Sequence, residues 1–257
     1  MRYAIVSDIH GNLEALTAIE RDLSSQSVDA VLCLGDSIGY GPNPIECLDW
    51  SARQSLYLLG NAEESTLYPA EIGGEAATET FVWTRAVLSD GAAGESRRNV
   101  LEELPRVAYR DDALFVHASP RSPLHEYLHP EVTQPRERYW GMLQMTPRLT
   151  FSGHTHLPGV LDVQGQFTPA ADRMLWEFAW GEFDPRKADS ERYLINVGSA
   201  GQARDGDLRA CYVIWESNRL EFRRVEYDVE TTIRKLQSVP ELSRSKTLRW
   251  LGVAGAT

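Results

Sequence analysis

The sequence predicts an α/β fold, a four-layer αββα sandwich in which two facing mixed β-sheets are flanked by helices. Three observations lead there. Apolar runs and amphipathic segments alternate over the first 60 residues, the pattern of parallel βαβ units. Runs such as Tyr3-Ala4-Ile5-Val6 and Ala30-Val31-Leu32-Cys33-Leu34 read as buried strands. From about residue 160 the chain turns mainly to short strands, several of alternating polarity. A chain of 257 residues buries a sizeable core, and with no repeat, low-complexity tract or flexible linker it reads as one domain over 1–257.

Taken in order, residues 2–7 form the first strand. Residues 12–25 form a helix with Leu13, Leu16, Ile19 and Leu23 on one face. A strand over 28–34 leads through Gly39-Tyr40-Gly41-Pro42 into a helix over 43–53, and a third strand covers 55–59. Helical spacing returns over 75–89 and 95–104, followed by strands at 106–109 and 114–117. A short helix over 137–144 precedes a strand at 149–152. Strands at 160–163, 173–179, 193–197, 209–216 and 220–227 come next, and a helical segment begins at about 229, with helices over 229–237 and 241–251. The intervening stretches 39–43, 64–75, 121–136 and 169–189 read as loops that set specificity. Trp176, Phe178, Trp180 and Phe183 read as core or lid rather than as a platform for stacking bases.

The composition is that of a water-soluble globular chain, 42% hydrophobic and 25% charged. No apolar run approaches the roughly 18 residues of a membrane span. Arg2, the strand behind it, Asp8 and His10 are not the beginning of a cleaved leader. Cys33, Cys47 and Cys211 are odd in number with no CxxC pair, so they read as reduced thiols in a cytoplasmic protein and not as zinc ligands. The net charge of −11 argues against a broad nucleic-acid surface and counts against a nuclease. It leaves room for a small phosphorylated substrate, because bound cations invert the local field. A homo-oligomer is left open.

Chemistry concentrates in five short pieces: Asp8-Ile9-His10, Gly35-Asp36, Gly60-Asn61, His117 and Gly153-His154-Thr155-His156. Each follows an apolar run, so each places a carboxylate, carboxamide or imidazole where a strand ends, and such ends converge at the carboxyl edge of a sheet. Seven oxygen and nitrogen donors meeting there make a site for two divalent metals. Singly, each has a plainer reading. Asp8 or Asn12 serves as a helix N-cap, and one histidine at a strand end is more often a core residue. Four of the six histidines sharing this pattern favours the metal reading.

With Asp8-Ile9-His10-Gly11-Asn12, Val116-His117-Ala118-Ser119-Pro120-Arg121 and Asn196-Val197-Gly198-Ser199 added in order, the chain resembles the calcineurin-like metallophosphoesterase family, its small bacterial members in particular. The resemblance runs from Tyr3 to about Trp215. It implies that Asp36 bridges the two metals. Asp8, His10 and His156 then complete one set of ligands, and Asn61, His117 and His154 the other, with Asn61 and His117 nearest the chemistry. It implies in-line attack on phosphorus by a hydroxide held between the metals, in a phosphomonoesterase or phosphodiesterase. The donor set suits Mn²⁺ first, with Fe²⁺, Zn²⁺ or Ni²⁺ as alternatives, better than Ca²⁺. Asn12, Arg121 and Arg204 are candidates for holding the phosphate, although each arginine reads equally as a salt-bridge partner.

One position departs from the family pattern, in which Gly-Asn-His is followed by an acid. Here the segment is Gly60-Asn61-Ala62-Glu63-Glu64, so the imidazole that usually protonates the leaving group is missing, while Glu63 keeps the place of its partner. Losing a general acid costs roughly a hundred- to ten-thousand-fold in rate. Ala62 is open to three readings: an engineered change, a natural restriction to esters that need no such acid or use another such as His125, or a metal-bearing interaction module that binds a partner. On the enzyme readings, Ala62→His is expected to raise turnover of poor leaving groups about tenfold or more.

Overall fold

The computed structural model describes residues 1–68, 75–128, 136–170, 175–179, 191–243 and 246–252. In chain order the elements are β1 (Arg2–Val6), α1 (Leu13–Leu23), β2 (Ala30–Cys33), α2 (Pro44–Ala52), β3 (Leu56–Tyr57), α3 (Asn61–Leu67), α4 (Glu75–Ser89), α5 (Gly94–Glu102), β4 (Val107–Arg110), β5 (Ala113–Val116), α6 (Arg136–Leu143) and β6 (Leu149–Ser152). They continue as β7 (Gly159–Asp162), β8 (Phe167–Pro169), β9 (Leu175–Ala179), β10 (Tyr193–Asn196), β11 (Ala210–Glu216), β12 (Arg219–Val225), α7 (Val229–Ser238) and α8 (Lys246–Trp250).

These strands form two six-stranded mixed sheets, ordered β3-β2-β1-β11-β12-β9 and β4-β5-β6-β10-β7-β8. In the first, β1, β2 and β3 run parallel and β11 antiparallel to β1. In the second, β5, β6 and β10 run parallel. Alternation along each strand explains the layers. Tyr3 and Ile5 of β1 join Phe115, Phe151, Ile195, Val213 and Phe222 in a core between the sheets. Ala4 and Val6 turn the other way, towards Ala15, Leu16 and Ile19 of α1 and Cys47 and Leu48 of α2. On the far face of the second sheet, Leu161, Val163 and Leu194 pack with Tyr139, Met142 and Leu143 of α6. The result is helix, sheet, sheet, helix. Strands buried on both faces read as continuous apolar runs because neither face meets water.

Three readings change. Residues 64–67, assigned to a loop, belong to helix α3, which starts at Asn61 directly behind the third strand. The strand β8 was missed, because Phe167–Pro169 is short and ends in proline. The third strand shrinks to Leu56–Tyr57. His129, Trp180 and Phe183 lie outside the described residues, as does part of the 169–189 stretch. All three cysteines are buried and unpaired. Among the described residues no helix is long and apolar enough to cross a membrane.

Candidate metal centre

The five motif segments end at one place because the parallel strands of both sheets point there. Asp8 and His10 follow β1, Asp36 follows β2, and Asn61 opens α3. His117 follows β5, and His154 and His156 follow β6. Backbone bonds lace the loops together. Asp8 N–H donates to Gly35 O (3.0 Å), His10 N–H to Asp36 O (2.9 Å) and Gly153 N–H to His117 O (2.9 Å). Asn196 Nδ2 donates to Gly153 O at 2.5 Å, fixing the two-histidine loop from β10.

Two triads result, Asp8/His10/His156 and Asp36/His117/His154, each with ligand atoms within 4.8 Å of one another and all buried. Asp36 faces both: Oδ2 lies 3.6 Å from His10 Nε2 and Oδ1 lies 3.5 Å from His117 Nε2. Asn61 Oδ1 joins the second triad, 3.0 Å from His117 Nε2. The residues flanking Thr155 turn to different triads, as an extended pair two apart does.

Cations fit this arrangement on the chemistry of the donors. Three imidazoles have their Nδ1 atoms committed to backbone carbonyls: His117 to Leu34 O (3.0 Å), His156 to Gln202 O (2.5 Å) and His10 to Ile38 O (3.3 Å). A ring that donates from Nδ1 presents a lone pair at Nε2. The Nε2 atoms of His10 and His156 then face each other at 3.3 Å, and Asp8 Oδ1 stands 3.2 Å from the latter. Nε2 of His117 likewise meets Asn61 Oδ1 and, at 3.1 Å, His154 Nδ1. Lone pairs crowded against lone pairs are stable only around a cation. Asp8 Oδ1 and His154 Nε2, both buried, also lack hydrogen-bond partners, which marks a place for something other than protein.

Electrostatics agree for three of the four rings; His117 is the exception, because the burial that would lower it is outweighed by Asp36, Asp8 and Glu63, which raise it above the ordinary histidine value. Burial, together with neighbouring imidazoles and Arg204, pushes His154 down to about 2 and His10 and His156 below the ordinary histidine range, so these rings are neutral and ready to ligate. Burial drives the Asp36 carboxyl upward, and Glu63 and Asp8 add to that, as expected for an acid built to face positive charge.

The backbone here is strained. Asp8 (φ 56°), His10 (50°), Asp36 (53°), His154 (65°) and His156 (61°) all adopt the left-handed region, which costs a non-glycine residue of order 1 kcal/mol each. Strain clustered on ligands is tolerated because the surrounding hydrogen bonds over-determine it. Gly60 serves the same end, since a methyl group there would collide with the Asp36 carboxylate and with Glu63.

Glu63 has a different role from the one expected. Its fully buried carboxylate accepts from Asp36 N–H (2.7 Å), Ser37 N–H (2.7 Å), Gly60 N–H (2.9 Å) and the Tyr57 hydroxyl (2.9 Å). It therefore clamps the Asp36 turn to the start of α3 and needs no imidazole at 62. Ala62 N–H donates to Asp36 Oδ1 (2.7 Å), and its methyl lies fully buried beside Gly39, against which Phe81 also packs. A glycine or small cap followed three residues later by Glu is the signal that marks such a helix start.

The weaker candidates separate. Asn12 is a helix cap: its Oδ1 accepts from Ala15 N–H (3.1 Å) and the Thr232 hydroxyl (3.1 Å), and its Nδ2 donates to Gly201 O (2.9 Å). Those bonds commit both ends of its carboxamide within the protein. Arg121 pairs with Glu126 at 2.5 Å near the surface. His125 pairs with Glu64 at 2.8 Å and is exposed. Arg204 is at the centre's edge, donating to Gln202 Oε1 (2.9 Å) and hydrogen-bonded to Tyr127. The Tyr127 ring lies 3.9 Å from that of His154, and the Tyr40 ring meets His10 edge-on at 5.2 Å. Neither tyrosine stood out in the sequence, since nothing local marks a ring that reaches the site from a loop.

The family model for the calcineurin-like phosphoesterase superfamily domain matches residues 1–219. This chain belongs to that superfamily. A protein of Methanocaldococcus jannaschii, MJ0912, is 30% identical over 263 residues, covering 97% of this chain and 95% of its own. The calcineurin-like fold is equally clear in solved structures. A metallophosphoesterase from Sphaerobacter thermophilus superposes with a TM-score of 0.77 at 30% identity, with 98% of each chain covered. The hypothetical protein PH1004 from Pyrococcus horikoshii OT3 shares the fold with a TM-score of 0.70 at 18% identity and 97% coverage of both chains. The 229–252 helices lie beyond the matched family region.

Proposed function

We propose that this protein is a dinuclear-metal hydrolase of phosphate esters, a phosphomonoesterase or phosphodiesterase, with Mn²⁺ as the first metal expected. The observation that carries the reading is the pair of triads with Asp36 facing both, and with imidazole nitrogens turned towards one another. When bound, two such cations supply Lewis-acid charge for the phosphoryl oxygens and lower the pKa of a water between them. Asp8, His10 and His156 hold one cation, Asn61, His117 and His154 the other, and Asp36 offsets their mutual repulsion. The Asn61 amide nitrogen is the donor for a phosphoryl oxygen, and Arg204 a second one from the rim. Without an imidazole at 62, turnover depends steeply on how readily the leaving group departs unprotonated. The buried, unpaired thiols favour a cytoplasmic setting.

Hydrolysis of p-nitrophenyl phosphate and of its bis ester after Mn²⁺ reconstitution tests this reading. Asp36→Ala is expected to lower both bound metal and turnover at least about a hundredfold. Unchanged turnover means that Asp36 is not the bridge. Ala62 motivates a second reading, a metal-bearing interaction module on the same scaffold. Full metal occupancy with no turnover of any aryl ester decides for it.

A further inference from the structure

A cavity of about 790 Å³ opens beside the metal centre, a volume within the range of sites for organic ligands. It takes no part in holding metal. Its lining is mixed: Leu157, Pro158, Phe167 and Leu208 supply apolar surface, and Arg204 and Asp207 stand among the charged residues that supply the rest. Its continuity with the centre rests on two observations. Leu157 and Pro158 directly follow the ligand His156. Arg204 donates at 2.9 Å to Oε1 of Gln202, the residue whose carbonyl holds His156 Nδ1 at 2.5 Å, and it bonds Tyr127, whose ring covers His154. The acids in the wall are neutralised: Asp205 pairs with the buried Arg224, and Asp207 pairs with Arg209 at 2.5 Å. Unpaired carboxylates would repel an anionic ester, whereas paired ones form a nearly neutral wall that accepts the organic part of one.

The geometry points to this cavity as the binding site for the organic group of the substrate, a ring-sized substituent, with Arg204 positioning the phosphate at the junction. The inference rests on the phosphoesterase reading and narrows it to esters with a bulky substituent. Methyl-sized esters reach the metals but leave the cavity empty.

Two esters with the same leaving group separate the contributions: phenyl p-nitrophenyl phosphate and methyl p-nitrophenyl phosphate. In each, a water oxygen bonds to phosphorus, the bond to p-nitrophenolate breaks, and the organic group under test stays on the product. The Mn²⁺-loaded protein is expected to show a KM about tenfold lower for the phenyl ester. Leu208→Trp, which fills the cavity from a partly exposed position, should raise that KM about tenfold and leave the methyl ester within about twofold. Calorimetry on the unmodified protein gives a readout independent of turnover. Phenyl phosphate should bind more tightly than methyl phosphate, with a more negative heat-capacity change. Equal affinities for the two phosphates overturn the cavity assignment whatever the variant does. A KM ratio near one that Leu208→Trp does not alter overturns it as well. Absence of hydrolysis of both diesters and of p-nitrophenyl phosphate overturns the phosphoesterase reading instead, and calorimetry still decides the cavity.

Discussion

Asp36 and Glu63 illustrate how two buried carboxylates in adjacent segments divide their work. Asp36 points into the centre, while Glu63 points away from it and collects backbone amides from Asp36, Ser37 and Gly60. Glu63→Gln keeps the size but replaces one acceptor oxygen by a donor facing amides. We expect it to cost about 3 kcal/mol in denaturant unfolding and about tenfold or more in metal affinity, because the Asp36 turn loses its clamp. Ala62 is the other decisive residue. Its methyl is fully buried, so the imidazole of Ala62→His has to displace packed neighbours. That burial argues for an outcome other than the one expected from sequence: we expect the variant to lose about 1–3 kcal/mol of stability, with no tenfold gain in turnover. Denaturation midpoints and aryl-ester rates measure the two effects separately.

At the scale of elements, α1 is tied to the first sheet by Asp22, which accepts from the Tyr212 hydroxyl of β11 (2.5 Å) and from Arg223 Nε of β12 (2.7 Å). Burial alone would raise the Asp22 carboxyl, but the Arg223 and Tyr212 bonds outweigh it and hold it below its ordinary value of 3.8. A carboxylate depressed in the fold contributes fully above its unfolded pKa, and that contribution is lost as pH falls through the folded value. Asp22→Asn should therefore cost about 1–2 kcal/mol near neutrality. The gap from the unsubstituted protein should shrink below pH 3.8, read from unfolding midpoints in chelator. The C-terminal helices reach the site through the same kind of tie. Gln202 Nε2 donates to the Thr247 hydroxyl of α8 at 2.7 Å, while the Gln202 carbonyl orients His156. Helix α3 was illegible to periodicity because seven residues present less than two turns. Its start could be read only from the Gly60 to Glu63 spacing.

Across the whole molecule, the centre joins the two sheets. Asp8, His10 and Asp36 come from loops of the first, and His117, His154 and His156 from loops of the second. Cations bound there would therefore staple the layers together. Mn²⁺ at a hundred times its dissociation constant should add about 2.7 kcal/mol to stability, seen as a rise in Tm that chelator reverses. The central strands and the layer assignment were legible because strands buried on both faces leave unbroken apolar runs, whereas the order of strands within each sheet was not. The outer edges were less so: β8 is three residues long, and edge strands need little burial.

The sequence alone determined the donors. Asp8, His10, Asp36, Asn61, His117, His154 and His156 each stand behind an apolar run, and strand ends are a local property. It also determined the missing imidazole at 62. Only the tertiary structure decided how those donors present themselves, because the carbonyls of Ile38, Leu34 and Gln202 fix the imidazole tautomers from other segments of the chain. It also decided that Glu63 clamps the Asp36 turn and that Arg204 borders a cavity of mixed lining. Each of those roles depends on partners distant in sequence, and no pattern along the chain encodes them.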